Sequence, residues 1–287
     1  MARSHDTTRN TSAPSPSPSD YGHPFGWWGS GWTPFNRRSL LWLIERDTVD
    51  VVTAAFLSLA IEARASLMVI AEPHGAGKTT LLTSLLDFLP DDSAPVFLRG
   101  WYERFSFRDE IPASRAYLLC NEISAHLPIY LWGHGVRRVF DAVADGYPIA
   151  TTMHAPSAHD ALAQLMAYPL EVPAAHLQFL DLVVTIGVGY SGSHLLRRVS
   201  AIERIVAGDD PTPRAIRIAH REPLRGDLDY QTGRYIAVLT EIGGWTDHEA
   251  SARLARRTHL LRDWLAAGLS AAGTIRSEVI ASRNGEG

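Results

Sequence analysis

The chain has 287 residues, 46% of them hydrophobic, and a formal net charge of -4, enough for one sizeable α/β domain with appendages around a real core. That charge gives no global attraction to nucleic acid or to an anionic membrane. No apolar run reaches the roughly 18 to 20 residues that span a bilayer, and the polar start MARSHDTTRN holds no signal-peptide core, so a cytoplasmic protein is expected.

Residues 1–36 read as a disordered tail, because SAPSPSPSDYGHP is too rich in Pro and Ser to offset its ordering entropy by burial. Within it FGWWGSGWTPF, 25–35, is too apolar to stay in water. It is expected to dock on its own domain, on a neighbouring subunit or on a membrane partner. Ser39 to Arg64 carries apolar residues at helical spacing and predicts one helix.

Across 37–207 short apolar runs alternate with helical stretches, the pattern of an α/β fold with a mainly parallel, doubly wound sheet. SLMVIA predicts a strand, Thr79 to Leu89 a helix stopped at Pro90, and PVFL and AYLLC two further strands. The lone cysteine, Cys120, ends AYLLC and reads as a buried small hydrophobe; it excludes an internal disulfide or a multi-cysteine zinc site. Gly135 to Ala144 predicts a helix, PIATTM a strand, Ala158 to Ala167 a helix, and LVVTIGV and RRVSAIERI the closing strands. In 208–287 the pattern changes. PTPRAIRIAHREPLRGDLDYQTGRYIAVL predicts a small hairpin-like β element, Thr246 with Glu249 a capping box that opens a helix to about Ala267, and Thr274 to Ser282 a last helix.

The chemistry centres on AEPHGAGKTT, Ala71 to Thr80. All 27 basic residues but one are arginine, and the exception, Lys78, falls in this loop. Lysine here suggests a site that the bulkier guanidinium fork cannot serve. Between a predicted strand and a predicted helix, His74, Gly75, Ala76, Gly77, Lys78, Thr79 and Thr80 form a candidate phosphate cradle. The glycines turn backbone N–H groups inward, the helix N-terminus adds its dipole, Lys78 reaches the β/γ oxygens, and the Thr79 hydroxyl ligates Mg²⁺. Glu72 stands where the full pattern has glycine. A carboxylate about 8 Å from the phosphates would cost roughly 2 kcal/mol at an effective dielectric of about 20, most of it removed by turning outward.

Two further strand ends bring polar groups to the same edge. YLLCNE delivers Glu122, placed to orient an attacking water or to reach Mg²⁺ through water, and TTMH delivers His154, placed to sense or stabilise a γ-phosphate. A strand-end glutamate and a structural histidine are the plainer readings of the same residues.

In this order the elements resemble the secretion ATPases of type II and type IV systems, which also power type IV and Tad pili and archaeal flagella. The likeness rests on FLSLAIEARASLMVI, the loop GAGKTTLL, YLLCNEI, the histidine box ATTMHAPSAHDALAQL, and LDLVVTIGV with RRVSAIERI. The closing TEIGGWTDHEASARLARRTHLLRDWLAAGLSAAGTIRSEVIA is similar to the archaeal and Tad branch, so the resemblance covers about residues 40–284. It implies a RecA-like P-loop core, ATP and Mg²⁺ as ligands, a ring oligomer, most simply a hexamer, and a membrane platform protein as partner at the cytoplasmic face. Against the family pattern only the tail precedes the core, where members usually carry an N-terminal domain. Arg99 and Gly100 stand in place of an acidic pair, leaving Glu103 as the last acidic position of that box and a third candidate catalytic residue. Asn121, Ser124 and Ala125 depart around Glu122, and Arg104, Arg108 and Arg115 are the local candidates for arginines acting across a subunit boundary. The alternative is an ATP-binding regulatory or assembly subunit with little hydrolysis. No nucleic-acid partner is expected, because no basic stripe with interleaved aromatics lies on the core.

Overall fold

The computed structural model describes residues 21–26, 28, 38–208, 212–222, 225–271 and 275–284. Ser39 opens α1 (Leu40–Glu45) by accepting from the Trp42 amide at 3.2 Å. Asp50 opens α2 (Val51–Glu62), its Oδ1 accepting from the amides of Val52 and Thr53 at 3.0 and 2.9 Å. The single helix expected from Ser39 to Arg64 is therefore two. Between them Asp47 turns to a φ of 53°, and its carboxylate meets Arg198 and, at 3.5 Å, the buried Arg221. Helical periodicity along the chain carries no sign of those distant arginines.

Eight strands form one sheet: β1 (Leu67–Ala71), β2 (Ala94–Phe97), β3 (Ala116–Ile123), β4 (Ile149–His154), β5 (Leu182–Ser191), β6 (His194–Val206), β7 (Arg214–Glu222) and β8 (Arg225–Tyr230). Their order is β2-β3-β4-β1-β5-β6-β7-β8. The first five in that order run parallel, and β5 to β8 continue as an antiparallel meander. The expected α/β sheet is present, and the hairpin β7–β8 extends it. Every residue of β1 and β3 is buried, as near-continuous apolar strands covered on both faces should be. Crossovers leave β1 toward β2 on one side and reach β5 on the other, so its C-terminal end is a topological switch point, where open α/β sheets bind ligands.

One face of the sheet carries α1, α2, α3 (Lys78–Leu85), α8 (Thr232–Gly243), α9 (Asp247–Ala266) and α10 (Arg276–Asn284). The other carries α4 (Phe107–Glu110), α5 (His134–Ala144), α6 (Ala158–Met166) and α7 (Ala174–Leu177). RYIAVL, expected at the end of the β element, is helical instead. Tyr235, Val238 and Leu239 lie at helical spacing, all buried, and Tyr235 stacks on Phe56 of α2 at 4.2 Å. The capping box of Thr246 and Glu249 opens α9 as the sequence indicates. From α10, Arg276 donates to the main-chain oxygen of Asp87 at 2.9 Å and Arg283 to that of Phe88 at 2.8 Å. These carbonyls end the turn that continues α3, where cationic donors also favour the helix dipole.

Of the stretch read as a tail, Tyr21 and Trp28 are buried. Trp28 meets Phe97 of β2 edge-on at 5.1 Å, and Tyr21 meets Phe107 at 5.7 Å. This part docks on its own chain; most of the aromatic segment 25–35 lies outside the described residues. Among the described residues no helix is long and apolar enough to cross a membrane.

Candidate functional site

β1 ends at Ala71, the chain turns through 72–77, and α3 begins at Lys78. Gly75 and Gly77 have φ of 70° and 98°, left-handed values that a Cβ would strain. Gly77 is the N-cap of α3 and offers no side-chain acceptor, which leaves the amides at the helix start available for a ligand oxygen. Lys78 is nearly buried, while Thr79 and Thr80 are partly exposed on the first turn. Glu72 is exposed.

Parallel pairing sets Ala71 of β1 opposite His154 of β4. On the other side of β4 the register with β3 shifts between Cys120 and Ile123, so that Asn121 and Glu122 occupy a bulge. The Thr152 hydroxyl donates to the Asn121 main-chain oxygen at 2.8 Å and pins it. The bulge brings Glu122 to the loop. Its Oε2 lies 3.9 Å from Lys78 Nζ and its Oε1 3.6 Å from His154 Nε2. Lys78 Nζ lies 3.0 Å from the same imidazole nitrogen. Three residues, from the ends of β3 and β4 and the start of α3, thus converge at one edge of the sheet. Below them, burial pushes the Cys120 thiol up to about 12, which fits its reading as an inert core residue.

The electrostatics follow from these contacts. Burial lowers the pKa of Lys78, with Glu122 opposing. Burial also lowers that of His154; the hydrogen bond to the Glu72 main-chain oxygen opposes this and the Lys78 charge adds to it. Neutral His154, with its proton on Nδ1 facing Glu72 O at 3.1 Å, has Lys78 Nζ against its ring, 3.0 Å from Nε2 and 3.4 Å from Nδ1. The approach of Nε2 to Glu122 is then a contact with a neutral ring rather than an ion pair. A cationic Lys78 beside a neutral imidazole and one carboxylate is arranged to meet phosphate oxygens. The first-turn amides, Lys78 and Thr79 fit a nucleotide with Mg²⁺.

His74, in the loop, lies with its ring 4.2 Å from that of His154 and 6.0 Å from that of His126. Glu103 has different neighbours: its carboxylate accepts from the Tyr21 hydroxyl at 2.8 Å, the Arg99 amide at 2.9 Å and the Phe105 amide at 2.7 Å. It organises the turn after β2. Gly100 in that turn has φ of 57°, and a Cβ there would stand 2.4 Å from the main chain of Pro128 and Ile129. The close approach of the loop after β3 accounts for glycine where the resemblance leads one to expect an acid. Arg104, Arg108 and Arg115 are exposed; Arg108 pairs with Asp145, and Arg115 reaches the Asp92 oxygen at 3.5 Å.

Sequence reading missed two residues at the loop. His126 gave no signal beyond its type. Arg197, on β6, donates from Nε to the Gly75 main-chain oxygen at 2.9 Å; the Arg197-Arg198 pair in RRVSAIERI was the available hint, but nothing local distinguishes the arginine that turns to the loop.

No family model matches the chain. It is similar to two uncharacterized proteins of Methanocaldococcus jannaschii, 26% identical over 184 residues and 27% identical over 186, each match covering 58% of this chain. The matches span 33% and 68% of those relatives, so the chain accounts for about a third of the first one's length. Among solved structures it is similar to the VirB11 ATPase of the Brucella suis type IV secretion system, 19% identical with a TM-score of 0.39, over 57% of this chain and 54% of that one. It is also similar to the Legionella pneumophila ATPase DotB, 14% identical with a TM-score of 0.32, over 69% of this chain and 54% of that one.

Proposed function

We propose that the chain is an ATP-binding and hydrolysing motor ATPase of the type II/IV secretion and type IV or Tad pilus kind. In this reading it has a RecA-like P-loop core and works as a ring oligomer, most simply a hexamer, on a membrane platform protein at the cytoplasmic face. The observation that carries the reading is the convergence of Lys78, Glu122 and His154 beside a glycine loop that opens a helix. Lys78 would exchange its contact with His154 for phosphate oxygens. The amides of Gly77 to Thr80 would face the phosphates, and Glu122 would orient a water and take up its proton. His154, held by the Glu72 carbonyl, would register the terminal phosphate. Thr79 and Glu122 would hold Mg²⁺, which when bound supplies charge stabilisation to the phosphate oxygens. The catalytic contribution is positional and electrostatic, as phosphoryl transfer demands.

One observation favours the second reading, an ATP-binding regulatory or assembly subunit with little turnover. Arg108 and Arg115 already hold partners within their own chain, so neither stands ready to act on a neighbour's nucleotide. Steady-state ATPase activity of the wild type and Glu122→Gln, with mass measured with and without ATP and Mg²⁺, separates the two. Turnover abolished by the substitution, together with a six-fold assembly, is expected of the motor. A monomer that binds ATP tightly and turns over no faster than the Gln variant belongs to the second reading.

A further inference from the structure

We infer that Arg197 is a positioning residue for the phosphate loop: its guanidinium, reaching over from the β5–β6 hairpin, sets the orientation of the Gly75–Ala76 peptide and with it the direction of the Ala76 N–H. The inference rests on the nucleotide reading of the loop and adds a residue to it.

β5 pairs with β1 only as far as Ile70 opposite Thr185, then runs on for six residues beside the loop. In this extension Val188 pairs with Arg197 of β6. Arg197 Nε donates to the Gly75 oxygen at 2.9 Å, and its Cδ would lie 3.8 Å from a Cβ on Gly77, so its stem borders the loop as well. A trans peptide is planar, with its C=O and N–H pointing in opposite directions. Holding the Gly75 oxygen toward the hairpin therefore turns the Ala76 N–H away from the hairpin. Gly75 has φ of 70° and nothing within 4 Å of where its Cβ would be, and a glycine at this position lets the following peptide rotate at little cost. Without an outside grip, the loop loses one aligned donor. Arginine suits the task because it keeps its charge and presents a rigid donor at Nε.

The test uses the full chain, labelled with nitrogen-15, and ATP with Mg²⁺ as the probe. Arg197→Met keeps an unbranched stem and loses the donor, whereas Arg197→Lys keeps a donor. Expected is about tenfold weaker ATP binding for Arg197→Met, the scale of one hydrogen bond to a charged group, with most of it recovered in Arg197→Lys. Thermal unfolding without nucleotide should match the wild type in both variants. The Ala76 amide resonance should move on ATP addition in the wild type and Arg197→Lys, and stay in place in Arg197→Met even at saturation. Arg197→Met that binds within twofold of the wild type, or whose Ala76 amide responds as the wild type's does, overturns the assignment while leaving the nucleotide reading intact. So does a loss of affinity that only tracks a loss of thermal stability. A wild type that binds no ATP refutes the nucleotide reading and this assignment together.

Discussion

The Nδ1 of His154 faces the main-chain oxygen of Glu72 across 3.1 Å. The residue that breaks the phosphate-loop pattern in sequence therefore serves the site through its backbone, a contribution that any residue type could make. Glu72 is exposed, where solvent and salt screen its charge. Lys78 Nζ lies against the same ring, 3.0 Å from Nε2 and 3.4 Å from Nδ1, and its charge together with burial disfavours the protonated imidazole.

His154 should titrate below the ordinary histidine value of about 6.5, because burial and then the Lys78 charge disfavour its protonated form. Removing that charge in Lys78→Met should raise the His154 pKa relative to the wild type. The stability linkage has a definite sign. The folded state binds this proton less readily than the unfolded state, so the contribution of neutral His154 is complete above about pH 6.5 and is lost as pH falls through the folded value. His154→Gln should flatten that part of the acid limb. Proton NMR titration of the His154 ring, with urea unfolding between pH 5 and 8, checks both. A wild-type value at or above the ordinary one contradicts the arrangement.

Gly100→Ala should destabilise the protein by about 2 to 3 kcal/mol, because the added methyl meets main chain that cannot swing away and the residue also holds a positive φ. Gly75→Ala, with a similar φ and open space around it, should cost about 1 to 2 kcal/mol from backbone strain alone. Thermal unfolding of the two variants side by side measures the difference. Equal losses would mean that the contact between the Gly100 turn and the Pro128–Ile129 main chain carries no energetic weight.

Glu62 joins Arg257 of α9 and Arg283 of α10. Burial pushes its carboxyl up, but Arg257 and Arg283 outweigh burial and hold it below the ordinary carboxylate value. The stability this contributes is present above the unfolded pKa of about 4.3 and is lost as pH falls through the folded value. Glu62→Gln should lower stability at pH 7 by about 2 kcal/mol, leaving two arginines without their shared partner, and should remove that share of the acid loss. Urea unfolding at pH 7 and pH 3.5 gives the comparison. A Gln variant with an undiminished acid loss would place its origin at other carboxylates.

Much of the α/β framework was legible because buried strands and amphipathic helices write their burial into residue order. Leu67 to Ala71 and Ala116 to Cys120 are continuous apolar runs because both faces of each strand are covered. The helix Thr232–Gly243 was misread because TGRYIAVL is short and rich in β-branched and aromatic residues; only its packing against Phe56 selects the helical period. The break at Asp47 was hidden for a related reason, since the arginines that hold it, Arg198 and Arg221, lie far along the chain.

The same division runs through the site. By itself the sequence determined the loop, the lone Lys78, and the strand-end positions of Glu122 and His154, because a glycine turn between a strand and a helix needs particular residue types at fixed local spacing. Only the tertiary structure decided that a bulge at Asn121 and Glu122 turns the carboxylate to the loop, that the carbonyl of Glu72 fixes the tautomer of His154, and that Arg197 grips Gly75. Those three contacts run through backbone oxygens or across strand register, and backbone oxygens are the same in every residue. Nothing in the residue order could mark them until the chain had brought the strands together.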